Sequence, residues 1–417
     1  MSDVMRWRGL RLFLLALGVA AGLWAQTPSD PYFIGFSDEP AMESGGRSLL
    51  SLDRGVCRLL GSNDGSKGYP AAAWEAPLGM LLTMVVNHEF DGHGGRAREF
   101  HLDPRYEAKF DLSAGTGIQV MPQSNFQVAC LALGGTEADS VTALRLQRDL
   151  LRPGGAEGAT LPALLFAKLD MSLYVGLAPS LNSVKFPDEF SKGNDIVVWL
   201  IARQAMRKGS DPVALWNRTL TLDLGDPLLQ KNLDAARATA IWNLLDPAVA
   251  SSVWQYVTEH LGQRHPRVEP RMLDLGGGCA LMVGAHGSLG PADVSRYIDL
   301  YLRTPLGLMY AYARDLDSSV DRTHGVGLGI HDLALGPRIR VSLSGDQWQE
   351  PLALERPARN SQGWNVAGEL QALFGTPAPR HLALGLSLQA GRKSAGFLPG
   401  RPIGAGSYLG GGLLVSF

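Results

Sequence analysis

The chain has 417 residues, 45% of them hydrophobic, and a formal net charge of -2 with a pI near 6.5. That balance gives no electrostatic footprint for nucleic acid or another polyanion. Length and apolar content suffice for a sizeable core and more than one domain, while 50 glycines are too many for a purely helical protein.

Residues 1–25 read as a secretory signal peptide. Arg6, Arg8 and Arg11 form its basic region, and Leu12 to Ala25 form an apolar stretch too short to span a bilayer comfortably. The expected location is therefore outside the cytoplasm, in the cell envelope. Cys57, Cys130 and Cys279 are too widely spaced for a zinc ribbon and make no disulfide framework. Residues 26–75, rich in Gly, Ser, Pro and Asp, read as loops with short strands such as Pro31-Tyr32-Phe33-Ile34.

From Ala76 the pattern turns helical. Leu78, Leu81, Leu82 and Val85 lead into Asn87-His88-Glu89-Phe90-Asp91-Gly92-His93-Gly94-Gly95, and the glycine pair is expected to end the helix. A second helix is expected over Phe126 to Leu151, interrupted at Gly134-Gly135 and restarted by a weak capping box of Thr136 and Asp139. Residues 161–265 read as mainly helical, with Asp170, Tyr174 and Asp195 in or beside apolar runs and a break near Asp246-Pro247.

From about Arg271 the period becomes two. Leu382, Leu384, Leu386 and Leu388 share one face, while His381, Ala383, Gly385, Ser387 and Gln389 share the other. Ile339, Val341 and Leu343 alternate with Arg338, Arg340, Ser342 and Ser344 in the same way. Leucine on one face against Gly, Ala, Ser and charge on the other suits a barrel in an outer membrane, with a soluble sheet as the alternative. The last strand, ending at Phe417, resembles the terminal strand of bacterial outer-membrane barrels. The expected fold is α+β. A mainly helical metallohydrolase-like domain over 26–268 precedes a C-terminal antiparallel β-barrel or sheet of about eight strands over 269–417.

The chemistry concentrates at His88-Glu89-Phe90-Asp91-Gly92-His93. Catalytic zinc needs three protein ligands, an open position for water and a base; imidazoles and a nearby Glu supply such parts. On a regular helix at about 100° per residue, His88 and His93 would lie roughly 140° apart and could not share an ion. A π-type widening to about 80° per residue brings them within roughly 50°, and Gly92 would permit it.

These six residues resemble the HExxGH motif of the dipeptidyl-peptidase III family of zinc peptidases. The resemblance implies Zn²⁺ held by His88, His93 and a Glu on a later helix, with Glu89 acting on the water. Glu137, 44 residues after His93 (137 − 93), is the residue expected in that third place. Gly134-Gly135 would let its backbone approach closely. The family's second motif is only echoed, in another place, by Arg96-Ala97-Arg98-Glu99. Glu99 and Asp91 are alternative ligands, Asp139 is a candidate to orient a ligand His, and Tyr174 or His260 could donate to an oxyanion.

The expectation is thus an exported zinc-dependent hydrolase, a metallopeptidase acting on peptide or protein, seated at the outer membrane or in the periplasm. The rival is a non-enzymatic barrel or envelope-assembly protein with a structural His/Glu cluster. No nucleic-acid partner is expected, and the sequence carries no statement on oligomeric state.

Overall fold

A computed structural model describes residues 30–37, 42–61, 68–108, 114–178, 194–211, 223, 225–318, 321–350, 362–375 and 382–416. The expected signal peptide, His381 and Phe417 lie outside the described residues.

Strand β1 (Tyr32–Ser37) is followed by α1 (Met42–Leu59), a helix where the Gly- and Ser-rich sequence suggested loops. Glu43 in its first turn and Arg58 in its last suit the helix dipole. Helix α2 (Ala72–Met80) runs into a π-helical stretch, Leu81–His93, and on into α3 (Gly94–Glu99). The helix therefore does not stop at Gly94-Gly95. Those glycines are buried, and a Cβ on Gly94 would overlap Tyr106, so they serve close packing rather than termination. A hairpin of β2 (Pro104–Ala108) and β3 (Ala114–Ile118) follows.

Helix α4 (Asn125–Leu151) starts on a Ser124 cap, whose hydroxyl accepts from the Gln127 N–H, and continues through Gly134-Gly135 without the expected interruption. After it come the short pair β4 (Ala156–Glu157) and β5 (Arg267–Val268), which bracket the remaining helices. These are α5 (Leu161–Leu177), α6 (Asp195–Lys208), α7 (Pro227–Leu244) and α8 (Pro247–Gln255), the last running into a second π-helical stretch, Tyr256–Gly262. Local chemistry explains their ends. Asp226-Pro227 and Asp246-Pro247 each place a carboxylate cap before a proline whose missing N–H a first helical position does not need. Gly209, at φ 63°, closes α6 in the left-handed conformation. Trp199, Leu200, Leu233, Val128 and Met171 knit α4 to α7 into one apolar core.

The rest of the chain is a meander: β6 (Leu273–Gly276), β7 (Cys279–Leu289), β8 (Asp293–Thr304), β9 (Gly307–Ser318), β10 (Arg322–Ala334), β11 (Ile339–Gln349), β12 (Gln362–Leu373), β13 (Ala383–Lys393) and β14 (Gly406–Ser416). Each pairs antiparallel with the next, and β1 joins beyond β14 to complete a ten-stranded sheet with β1 and β6 at its edges. The sheet thus takes a strand from the far side of the expected boundary at residue 268.

The sheet is not closed into a barrel, which corrects that part of the expected fold. The reason lies at its edges. The free edge of β1 is already served by α1: Phe33 N–H donates to Ser51 Oγ (2.8 Å) and Gly35 N–H to Ser48 Oγ (2.9 Å). At the other edge β6 has only four residues. With one edge satisfied by side chains and the other short, no β1–β6 ladder forms.

The two sheet faces are inverted relative to a soluble sandwich. Ile298 and Leu300 on β8, Val326 and Leu328 on β10, Val366 and Leu370 on β12, and Leu384 and Leu388 on β13 are exposed. The alternate positions are buried and polar or small: Tyr297, Asp299, Gly325, Gly327, Asn365, Glu369 and Ser387. Helices α1 and α4 pack against this polar face through ions: Arg47 and Arg145 reach Glu369, Asp149 meets His331, and Arg152 meets Asp332.

Candidate metal centre

The π-helical turn solves the spacing problem posed by the sequence. His88 and His93 lie on one side of the helix, with their Nε2 atoms 3.1 Å apart. Gly92 is needed there because the helix crosses α4 backbone to backbone: a Cβ at Gly92 would overlap Gly134 O, and one at Gly135 would overlap His88 Nε2. The paired glycines of α4 thus let the two helices approach until a histidine of one fills the space over a glycine of the other.

The third group is Asp195, the first residue of α6 after its Asn194 cap. Its Oδ2 lies 3.3 Å from both His88 Nε2 and His93 Nε2. Three donor atoms therefore form a triangle with sides of 3.1–3.3 Å. Ligands held about 2.0–2.2 Å from one tetrahedral ion stand at nearly this separation from each other. His88, His93 and Asp195 could hold a metal ion.

The rear of each imidazole fixes its tautomer. His93 Nδ1 lies 2.6 Å from Leu131 O, and a carbonyl only accepts, so Nδ1 carries the proton and Nε2 presents its lone pair. His88 Nδ1 faces Asp170 Oδ2 at 3.2 Å and Asp139 Oδ2 at 3.8 Å, with the same consequence. Two lone pairs and a carboxylate oxygen then face one another with no hydrogen between them, an arrangement that calls for positive charge at its centre. Without an ion, protons answer that call. Burial opposes charging His88, yet Asp170 and Asp139 raise its pKa well above the ordinary value; burial likewise opposes charging His93, and Asp195 raises it. Asp195 is held down to about 2 by the two histidines against its own burial.

Asp139 and Asp170 form a second buried layer. Asn87 Nδ2 donates to Asp139 Oδ1 (2.5 Å), while Asp139 Oδ2 and Asp170 Oδ1 have no hydrogen-bond partner among the described residues. Burial and the neighbouring Asp170 raise Asp139 to about 7. With His88 these two aspartates make a second group able to hold an ion. As carboxylates behind a ligand histidine they orient the ring and raise its basicity.

Glu89 adjoins the triangle. Its Oε2 accepts from Thr116 Oγ1 of β3 at 2.8 Å, and its charge acts on both His93 and Tyr174. The Tyr174 ring stacks on His88 at 4.6 Å between centroids and 16° between planes. Burial, with Asp195, Asp170 and Glu89 around it, raises the Tyr174 phenol far above its ordinary value, so it stays a proton donor at neutral pH.

Glu137 does not join the histidines. Arg96 takes both its oxygens, with Nε donating to Oε2 (2.9 Å) and Nη2 to Oε1, and Gly400 N–H donates to Oε1 (2.7 Å). Asp195 stands beside the histidines where Glu137 was expected, and Glu137 instead ties the β13–β14 loop to Arg96 of α3. Glu99 is similarly engaged by Arg96 (2.5 Å) and by Ile403 N–H (2.6 Å). Asp91 is buried against Gly45 of α1, and His260 pairs with Glu75 (3.0 Å) in a separate cluster. The signal for Asp195 was an acid at the head of a strongly apolar helix, but its distance of 102 residues from His93 (195 − 93) hid the connection.

No known protein family, no curated protein and no solved structure matches the chain.

Proposed function

We propose that this protein is a metal-dependent hydrolase of the cell envelope, with zinc as the metal and a peptide bond as the bond cut. The observation that carries the reading is the 3.1–3.3 Å triangle of His88 Nε2, His93 Nε2 and Asp195 Oδ2 beside the Glu89 carboxylate. The ligand set of two imidazoles and one carboxylate suits zinc, which when bound acidifies a water and polarises a carbonyl. The chain's own residues supply the rest. Glu89, steadied by Thr116, accepts a proton at a carboxylate oxygen and returns it to the leaving amine. Tyr174, still protonated, donates to the oxygen on which negative charge develops. Asp170 and Asp139 keep His88 aimed.

The test is metal analysis of the purified protein together with a peptide-library cleavage assay on wild type and Glu89→Gln. We expect about one zinc per chain in both and turnover lower by on the order of 10²–10⁴-fold in the variant. Metal-loaded wild type that cleaves no peptide would remove the peptidase reading, and a metal-free wild type would remove the site.

The same proposal seats the protein in a membrane by its sheet. Between Ile298 and Leu302 on β8, Met309 and Ala313 on β9, Val326 and Ile330 on β10, and Leu384 and Ala390 on β13, no outward-facing residue is charged. Charge returns along one end: Arg296 pairs in register with Asp315, and Asp315 with His324. An uncharged belt with a charged rim is the pattern of a lipid-facing wall, whose apolar band is ~25 Å tall. Liposome flotation tests it. Wild type should float and Leu328→Arg should float poorly, since a lipid-facing Arg costs about 2–4 kcal/mol near the bilayer middle. Equal recovery in the soluble fraction for both proteins would sink this part.

A further inference from the structure

Between α4 and the polar face of the sheet lies a chamber of about 100 Å³, on the opposite side of α4 from the metal centre. Most charges that line it are paired. Arg145 meets Glu43, Asp149 and Glu369, and Arg401 meets Glu43. Asp346 accepts from the Tyr312 hydroxyl (2.5 Å) and from Asn365 Nδ2 (2.8 Å). His286 is held by Asp299 at 2.7 Å.

Arg148 differs. Its Cζ lies over the Tyr310 ring, 3.9 Å from the centroid, and the residue lines both this chamber and a smaller one of about 40 Å³. None of its guanidinium nitrogens has a hydrogen-bond partner, and no carboxylate lies within ion-pair distance, among the described residues; its Nε is fully buried. The residue is half-buried, and its Nε is buried without an acceptor while the two terminal nitrogens stay accessible, so an anionic or carbonyl oxygen brought to it would find open donors. The hydroxyls of Tyr310 and Ser344 also line the chamber. Carbon comes from Val141 and Leu144 of α4, Leu398 and Pro399 of the β13–β14 loop and the Tyr297 ring, beside the polar Ser140 and Ser288.

We propose that this chamber binds a small organic carboxylate, with its head on Arg148 and its apolar body against Val141, Leu144 and Leu398. The Tyr310 ring backs the Arg148 guanidinium, and a planar carboxylate can take two parallel N–H donors from such a fork. The carbon lining distinguishes such a ligand from inorganic phosphate, which would satisfy the guanidinium but leave the apolar wall uncovered. This site uses no metal and stands independently of the hydrolase reading.

Isothermal titration of the purified full chain with benzoate, hexanoate and inorganic phosphate tests the proposal. Binding of benzoate or hexanoate in the millimolar range or tighter is expected, at least 10-fold stronger than phosphate. Arg148→Gln should weaken it at least 10-fold. Leu144→Trp, which fills the chamber while leaving the charge, should weaken it similarly, with circular dichroism matching wild type in each variant. No binding of either carboxylate, phosphate binding as tightly as both, or full binding by the folded Arg148→Gln protein would each overturn it.

Discussion

Gly135 leaves the room that His88 occupies: a methyl group on its Cα would overlap the imidazole at Nε2, the atom that faces His93 and Asp195. Helix α4 contributes no ligand here, yet its bare backbone decides whether the ligand can stand where it does. Gly135→Ala should therefore reduce metal affinity by on the order of 100-fold, comparable to losing a residue that orients a ligand. Competitive chelator titration measures it, with far-ultraviolet circular dichroism to check that the helices persist. Unchanged affinity would mean that the crossing is looser than the structure indicates.

Asp195 and Glu137 separate ligand from latch. Asp195→Ala should leave a protein that folds but holds no zinc by elemental analysis. Glu137→Gln should keep the metal and lower stability by about 1–3 kcal/mol, because buried Arg96 loses its two-pronged partner and keeps Glu99 alone. The reverse pattern, metal lost with Glu137 and retained without Asp195, would restore the carboxylate expected from the sequence.

Asp170 acts through His88. Asp170→Asn keeps the shape of the pocket and removes the charge behind Nδ1. Metal affinity should fall by about 10- to 100-fold while Glu89 and Tyr174 are untouched. Equal affinity in the two proteins, measured by the same chelator titration, would show that the ring is held by packing alone.

Acid should unfold the sheet–helix interface. Burial disfavours the charge on Glu43, yet Arg401 and Arg145 hold its pKa down to about 2; Glu369 and Asp149 are likewise held below the ordinary carboxylate range by arginines. A carboxylate whose folded pKa lies below its unfolded one, about 4.3 for Glu, contributes stability that is complete above the unfolded value and is lost as pH falls toward the folded one. Asp53, raised by burial, works in the opposite sense. The contribution of these pairs to the thermal midpoint should be lost between about pH 4.5 and 2. A Glu369→Gln protein should start lower and fall less steeply.

Much of this was legible in the residues. The alternation of Leu384, Leu386 and Leu388 with Gly385 and Ser387 gave the strands and divided their residues between two faces, but period two alone does not say which face is covered. The five-residue spacing of His88 and His93 pointed to a widened helical turn, which Leu81–His93 adopts. Other features depended on tertiary contacts with no local signature. Gly94-Gly95 and Gly134-Gly135 read as breaks because glycine is a poor helix former in isolation; packed against Tyr106, Gly92 and His88 they are what close helix crossings require. Helix α1 was hidden by its serines, whose hydroxyls donate back to Ser44 O and Arg47 O of their own helix while accepting from the edge of β1. Asp195 could not be read at all from spacing, since a ligand brought in by a separate helix has no fixed sequence distance.

The loop between β13 and β14 has one further consequence. Through Gly400 N–H on Glu137, the Arg401 carbonyl on Arg96 and Ile403 N–H on Glu99, the last hairpin reaches back about 300 residues to grip the helix that carries both histidines. The strand after that loop, β14, also receives β1. Contacts between segments this far apart in sequence form only after the later one is available. A ribosome-bound or truncated chain lacking that hairpin would carry all three ligand residues and still have an unbraced centre. Bracing of the histidine helix is thereby tied to formation of that hairpin.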